Sequence, residues 1–452
     1  MRSLAASFIS FHESYSHFFV TTTRTVSTQA FHYLSGLVQS VRKNVERMTE
    51  VVPDSDYQSL QHFVTHSPWE YRPVIDKVAK DADSLFGGDQ DTGLLQDETS
   101  FPKAGKKSVA VNRQWCGTLG KVDNCQVGVF SSLVRGSSAA LVDCRLYVPK
   151  EWTDDTDRCR KAGIPKDIVF KSKSQLALDS IQHLRSLGIR FSWVGIDGGY
   201  GKEPHFLSTL DDLGELFVAD VHKDQPIYLE DPAPYVPERT SSKGRTPTRR
   251  KANSAATEVQ AWAAAQPEEA WQRITTRNST KGILQVDILV KRVWVWNKEE
   301  SSARHWSLIV RREVDSRETI KYSLSNAPEG TSAERLAFMQ GQRYFVERAF
   351  QDAKGTAGMD HYQVRSWQSW HHHMALVMMS TLFMLQTRLK EKESTPLLSC
   401  QDVATLLAKF LPRRDTDIEE VFRQMEVRHR QRQASIDFAY AKQNRKLQAL
   451  LM

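Results

Sequence analysis

Two cations flank one carboxylate in the stretch from residue 339 to residue 354. On an α-helix that advances about 100° per residue, Arg343, Glu347 and Lys354 fall within roughly 40° of one another. Such a face can hold a metal-binding carboxylate between two phosphate-binding cations. It can equally be a salt-bridged surface helix, since charges at these spacings are common on exposed helices. The apolar stripe beside this face is formed by Met339, Val346, Phe350 and Ala353.

Two further acids follow apolar runs of strand character. Asp97 follows GLLQ, and Asp197 ends FSWVGID and precedes two glycines, which leave a bulky ligand room to approach. Open α/β sheets place their chemistry at the carboxyl ends of central strands. Alternatively, Asp197 is an ordinary turn aspartate, and Asp97 is one of several neighbouring acids. With Glu347, the three acids form a set of hard oxygen ligands that suits Mg²⁺ or Mn²⁺ and predicts two-ion cleavage of a phosphodiester.

Elements that could position these acids follow from the periodicity of the chain. Residues 1 to about 75 show helical spacing, and residues 93–147 alternate Val- and Leu-rich runs with turn residues, which predicts a meander of strands. After them, SQLALDSIQHLRSLG and HFLSTLDDLG predict helices, while FSWVGID and LFVADV predict strands. Strands that alternate with helices imply parallel pairing, so we expect a mixed sheet flanked by helices.

The next segment differs in composition. Six cations and no acid lie between Arg239 and Lys251, a run that is usually a solvated loop. AWAAAQPEEAWQRI then predicts a helix, and GILQVDILVKRVWVWN and HWSLIVRREV predict strands. The expected division is therefore a helical N-terminal region (1–85) that either binds DNA or caps the main domain, a first core segment (86–221), a β-rich insertion with a basic loop (222–330), core helices (331–390) and a helical C-terminal region (391–452).

Composition narrows the class of protein. The formal net charge of +7 and the pI of about 9.0 favour a polyanionic partner. Five cysteines without a C-x-x-C pair argue against a zinc site or a disulfide framework and fit a reducing compartment. The longest apolar run, 374–385, is too short to span a bilayer. Three consecutive histidines, 371–373, point three ways on a helix, so we expect a structural or DNA-backbone role for them.

Four stretches together resemble a known family: residues 97–129, which begin DETSFPKAGKK, DCRLYVPKEWTDD, FSWVGIDGGYG, and RYFVERAFQDAK with the segment after it. The chain resembles DDE insertion-sequence transposases of the insertion-sequence-four superfamily, in its seven-zero-one branch. The resemblance implies a ribonuclease-H-like core with a β-strand insertion before the last catalytic helix. It also implies a bacterial, cytoplasmic, nucleoid-associated protein that acts on double-stranded DNA, both transposon ends and target, as a homodimer in the synaptic complex.

The resemblance also assigns roles to residues. Asp97, Asp197 and Glu347 are the expected catalytic acids and hold two Mg²⁺ or Mn²⁺ ions. Arg343, Glu347 and Lys354 match the family signature Tyr-x2-Arg-x3-Glu-x6-Lys, whereas its tyrosine is replaced here by a glutamine. Trp294 and Trp296 in the insertion either stack on a flipped base or are core residues. The expected DNA-binding residues are Arg343, Lys354, Gln340, Tyr344, Trp294 and Trp296.

The expected activity is metal-dependent cleavage at transposon ends and transfer of the freed 3′-OH into target DNA. Two alternatives share the same core. One is a metal-dependent nuclease or resolvase that cuts without joining, and the other is a DNA-binding protein that has lost catalysis. A two-carboxylate glycosidase is disfavoured, because it would not need phosphate-holding cations around Glu347.

Overall fold

A helical region precedes the sheet. The computed structural model describes residues 3–239, 246–279 and 282–451, so Lys243 and Arg245 of the basic run lie outside the described residues. The helical prediction for the first 75 residues is confirmed. The N-terminal helices are α1 (Leu4–Glu13), α2 (Ser27–Gln39), α3 (Val45–Thr49), α4 (Tyr57–Thr65) and α5 (Tyr71–Phe86).

The central sheet begins with the predicted meander. Its first six strands are β1 (Gly93–Pro102), β2 (Asn112–Cys116), β3 (Lys121–Arg135), β4 (Ser138–Leu146), β5 (Trp193–Ile196) and β6 (Phe217–Val221). β3 pairs antiparallel with β1, β2 and β4, whereas β1, β5 and β6 pair in parallel. The spatial order β4-β3-β1-β5-β6 fits a ribonuclease-H-like fold, as expected.

The strands between residues 272 and 325 extend this sheet. Strands β7 (Pro226–Ile227) and β8 (Thr257–Glu258) form a separate pair. Because β12 pairs antiparallel with β6, the four remaining strands continue the central sheet to ten strands. These four strands are β9 (Gln272–Ser279), β10 (Gly282–Val295), β11 (Arg304–Glu313) and β12 (Ile320–Ser325).

Helices cover the sheet and form the C-terminal region. They are α6 (Lys150–Thr153), α7 (Thr156–Ala162), α8 (Lys173–Ser186), α9 (Gly198–Gly201), α10 (Pro204–Asp212), α11 (Val259–Ala264), α12 (Ala333–Gln342), α13 (Tyr344–Gly355), α14 (Trp367–Lys390), α15 (Cys400–Phe410) and α16 (Ile418–Leu451). The helix predicted from AWAAAQPEEAWQRI is only partly right. Pro267 cannot continue α11, and the β-branched residues after it join β9 instead. Within the described ranges, no helix is both long and apolar enough to cross a membrane.

The buried helix α14 connects the N-terminal helices to the sheet, because α2, α4, α5 and β4 all contact it. His371, His372 and His373 lie on α14 and are at most 2% exposed. The His372 ring stacks on Trp69 with centroids 3.8 Å apart, and Tyr33 hydrogen-bonds His373 at 2.9 Å. Burial lowers the pKa of His372 to about 4. The three histidines are therefore structural, and their burial excludes contact with a DNA backbone.

Candidate active site

Asp97 and Asp197 lie side by side on two parallel strands. β1 and β5 pair with Gln96 opposite Ile196, so the next residue on each strand is one of the two aspartates. Neighbouring strands are about 4.8 Å apart. The prediction of a strand end holds for Asp197 but is wrong for Asp97. The antiparallel partner β3 continues β1 to Pro102, beyond the end of β5.

The electrostatics of Asp97 reflect this pairing. Burial and the charge of Asp197 raise the pKa of Asp97 to about 7, although Arg343 opposes the shift. Two adjacent carboxylates in a place with little solvent resist simultaneous ionisation. A divalent cation would remove this repulsion, and carboxylate oxygens are its preferred ligands. The pair therefore fits a Mg²⁺ or Mn²⁺ site.

Asp197 also caps a helix. Its Oδ1 accepts hydrogen bonds from the backbone amides of Gly199 at 2.9 Å and Tyr200 at 3.3 Å, at the start of α9. Both bonds use the same oxygen, so Oδ2 lies outside the cap and can serve a ligand. The turn role considered from the sequence is thus present, and it fixes the carboxylate beside Asp97. Gly201, at the end of α9, lets this helix pack closely against β6, because a Cβ at Gly201 would collide with the carbonyl oxygen of Asp220.

The helix predicted to carry Arg343, Glu347 and Lys354 is interrupted at its start. Arg343 lies between α12 and α13 and keeps helical backbone angles of φ −56° and ψ −27°. The predicted apolar stripe beside it is buried, since its four members are at most 8% exposed. Arg343 therefore projects from a helix junction whose apolar side is packed against the core.

Arg343 bridges the aspartates of two strands, β1 and β6. Its Nε lies 2.9 Å from Asp220 Oδ2, and its Nη1 lies 3.9 Å from Asp97 Oδ2. Burial alone would lower the pKa of the guanidinium. The charge of Asp220, and then those of Asp97, Asp197 and Glu347, raise it above its ordinary value. The cation is thus the local counter-ion of all four carboxylates.

Glu347 is exposed on the first turn of α13. Across residues 3–239, 246–279 and 282–451, no three His, Cys, Asp or Glu side chains are close enough to hold a metal ion together. Asp97 and Asp197 are thus brought together, whereas Glu347 is not part of their cluster. The charge of Glu347 still acts on Arg343, because it contributes to the raised pKa of the guanidinium.

A cavity of about 250 Å³ lies next to Glu347, between α12, α13 and the strands β9–β12. We call it the Arg343 cleft. Four cations and two acids face it, and the amide side chains of Gln340 and Gln342 line it. Tyr344 is 50% exposed, and the Arg277 guanidinium lies 4.4 Å from its ring centroid. The charged lining residues are Arg277, Arg311, Glu313, Lys321, Arg343 and Glu347.

The other two positions of the signature lie in different surroundings. Lys354 is half-buried, its Nζ lies 3.4 Å from Thr118 Oγ1, and burial lowers its pKa. Gln340 is only 5% exposed, and its Nε2 donates to Ser323 Oγ at 2.7 Å. The Oε1 of Gln340 has no hydrogen-bond partner within the described residues.

The two candidate tryptophans lie far from the aspartates along the sheet. Across the sheet, Asp220 on β6 pairs with Ser323 on β12, which pairs with Ile309 on β11. Ile309 in turn pairs with Val290, so Val290 is the residue of β10 that is level with Asp220. Trp294 lies four residues beyond Val290, or about 13 Å along the strand, away from the carboxylate edge.

The burial of the two tryptophans also differs. Trp294 is half-buried and stacks on His305, with centroids 4.5 Å apart. Trp296 is 7% exposed, and its indole N–H donates to the Glu300 carbonyl.

Asp220 is the site residue that the sequence interpretation missed. It follows the apolar run LFVA just as Asp197 follows FSWVGI, so the same pattern could have identified it. β5 and β6 pair with Ile196 opposite Ala219, which places Asp220 beside Asp197. Three adjacent parallel strands thus carry an aspartate at one level, and Arg343 contacts the outer two.

Comparison with known proteins shows what the chain is similar to. Residues 15–283, more than half of the chain, match the family model described as DDE superfamily endonuclease. Over 210 residues the chain is 29% identical to a "Probable transposase for insertion sequence element IS701" from Microchaete diplosiphon, a match covering 45% of this chain and 51% of that protein. The chain thus spans about half the length of this relative. The NurA nuclease from Sulfolobus solfataricus matches 62% of this chain and 85% of its own at 9% identity, but its TM-score of 0.26 supports no conclusion.

Proposed function

Because this chain belongs to the DDE endonuclease superfamily, we propose that it is a DNA transposase that cuts transposon ends and joins them to target DNA. The resemblance to the seven-zero-one branch is confirmed by the family match together with the transposase relative. The observation that carries the proposal is the side-by-side placement of Asp97 and Asp197, with Arg343 beside Asp97.

Asp97 and Asp197 would hold the divalent ions that DDE endonucleases generally use, with Glu347 as the third acid. Bound there, such ions activate water and stabilise the leaving oxygen of a phosphodiester. The fit is supported by the raised pKa of Asp97, which burial and then the charge of Asp197 shift upward. The protein's own part is to keep the aspartates ionised and fixed, through the α9 cap on Asp197 and the cation of Arg343.

The cations around Glu347 would hold the DNA backbone. Arg343 and the other cations of the Arg343 cleft present guanidinium and ammonium groups beside the acids, and such groups bind phosphates. We propose Tyr344 as the aromatic contact closest to the cut strand, because this exposed residue is one position from Arg343 and three from Glu347 in the sequence. Lys354, whose Nζ lies beside Thr118 Oγ1, would contact the same DNA strand. Trp294 and Trp296 remain predictions for DNA contacts away from the carboxylate edge.

Two copies of the chain would act together on paired transposon ends. The proposed partners are therefore double-stranded end and target DNA and a second copy of this chain. The basic composition and the cationic cleft are consistent with a polyanionic partner.

The test is incubation of the purified protein with the terminal DNA of its element, Mg²⁺ and a target plasmid. A transposase produces nicked ends and then joined products, whereas a nuclease or resolvase produces cut ends alone. A DNA-binding protein without catalysis shifts the DNA and leaves it intact. The Asp97→Ala variant should bind the ends and cut nothing, so cutting by that variant at the wild-type rate would refute the proposed site.

A further inference from the structure

Two hydrogen bonds and an ion pair connect Gln340 to Arg343 through the sheet. Gln340 Nε2 donates to Ser323 Oγ at 2.7 Å. Ser323 Oγ donates to Asp220 Oδ1 at 2.6 Å, and Asp220 Oδ2 lies 2.9 Å from Arg343 Nε. Each polar group thus orients the next.

The register of the sheet builds this chain of contacts. Ser323 on β12 is paired directly with Asp220 on β6, and α12 places Gln340 above β12. Ser323 is fully buried, and the Asp220 side chain is 17% exposed. Buried polar groups of this kind are held in one geometry, because each would lose a partner if it rotated.

The geometry of the last link determines what Arg343 can do. The Nε of the guanidinium lies 2.9 Å from Asp220 Oδ2, and its Nη1 lies 3.9 Å from Asp97 Oδ2. A guanidinium offers five N–H donors in a rigid fork, and its terminal pair suits a phosphate. Asp220 therefore fixes the orientation in which Arg343 faces the aspartates.

The same contacts bear on Gln340. Its side chain is 5% exposed, and its amide nitrogen is engaged by Ser323. A donor in this position is not free to reach a DNA phosphate, which is the contact expected from the tyrosine of the family signature.

We propose that Gln340, Ser323 and Asp220 are positioning residues that act on DNA only through Arg343. The inference rests on the proposed function, because it assigns to Arg343 a phosphate of the cut strand. The replacement of the signature tyrosine by Gln340 is then a change of role. The residue no longer contacts a DNA phosphate directly but supports Arg343.

Double-mutant cycles test this chain of contacts. Gln340→Met and Ser323→Ala should each lower kcat/KM for cleavage of end DNA about 10- to 100-fold, because small displacements of a positioning group have effects of this size. In an Arg343→Ala background the same changes should alter kcat/KM less than about 2-fold, since the group they position is gone. Ser325→Ala is the matched control. Ser325 is a buried hydroxyl on the same strand that donates to the Phe217 carbonyl instead, so its removal should leave kcat/KM near the parent value in both backgrounds.

The outcomes are distinct. If the wild-type protein cuts DNA but Gln340→Met remains equally harmful without Arg343, the positioning chain is wrong and Gln340 acts by itself. If wild-type protein neither binds nor cuts DNA, the proposed function fails and the inference fails with it. Circular dichroism melting checks the fold of each variant. Should Ser323→Ala unfold, Gln340→Met carries the test, because it changes a helix side chain and leaves the strand pairing intact.

Discussion

The raised pKa of Asp97 predicts that its charge destabilises the metal-free protein. Burial and Asp197 raise this pKa from 3.8 to about 7. Below pH 3.8 the carboxyl group is protonated in both the folded and the unfolded chain. As pH rises to about 7, the unfolded chain loses its proton while the folded chain retains it. Stability present at low pH is thus lost as pH approaches 7 and does not fall further above it.

The size of the effect follows from the shift. One pKa unit corresponds to ~1.36 kcal/mol, so the full penalty above pH 7 is ~4 kcal/mol. At pH 5 only ~1.6 kcal/mol of it has developed. Asp97→Asn removes the charge and with it the penalty. The free energy of unfolding of the variant minus that of the wild type should therefore increase by ~2.5 kcal/mol between pH 5 and pH 8.

Urea unfolding at the two pH values, with EDTA present to remove divalent cations, measures this difference. Asp154→Asn replaces an exposed aspartate outside the site and serves as the control. Its free energy of unfolding minus that of the wild type should be the same at both pH values. If the free energy of unfolding of Asp97→Asn minus that of the wild type stays constant from pH 5 to pH 8, Asp97 ionises normally. The electrostatic basis of the metal site would then be wrong.

Four further predictions concern the site and the core. Mn²⁺ should raise the Tm of the wild-type protein at pH 8 but not that of Asp97→Asn, as thermal melting with and without the ion will show; an equal rise in both would place the ion elsewhere. Glu347→Gln should reduce end cleavage at least ~100-fold while electrophoretic shifts show unchanged end binding, and retained cleavage would remove Glu347 from the catalytic set. Tyr344→Ala should weaken DNA binding ~5- to 10-fold in fluorescence anisotropy, against no loss for Tyr440→Ala, which removes an exposed tyrosine of α16 that does not line the Arg343 cleft. His372→Ala should reduce the free energy of unfolding by ~3 kcal/mol in urea titrations, because it empties a packed site against Trp69, and a change below ~1 kcal/mol would contradict the structural role.

Local sequence patterns predicted the elements that carry the aspartates. The alternating meander, the two strand–helix units and the apolar stripe beside Glu347 all depend on residues near one another in sequence, and each is present in the structure. The neighbourhood of Asp97 and Asp197 was expected from their place in one set of metal-binding acids, and the register of β1 and β5 places the two residues side by side.

Features that depend on distant pairing were not predictable. Strand β9 is polar, so its place in the sheet comes from β10 and not from its own composition. The remoteness of Trp294 from the carboxylate edge appears only once the registers of β6, β12, β11 and β10 are known. Asp220 showed the right local pattern, but its significance lies in Arg343, which is more than a hundred residues later in the chain.

The most direct test of the metal-site claim is a crystal structure of the protein with end DNA and Mn²⁺, with the ion located by anomalous scattering. We expect manganese in contact with the carboxylates of both Asp97 and Asp197, with Glu347 drawn to the same site and the Arg343 guanidinium on a DNA phosphate. Manganese bound elsewhere, with the two aspartates still paired only to Arg343 and to the cap of α9, would contradict the assignment.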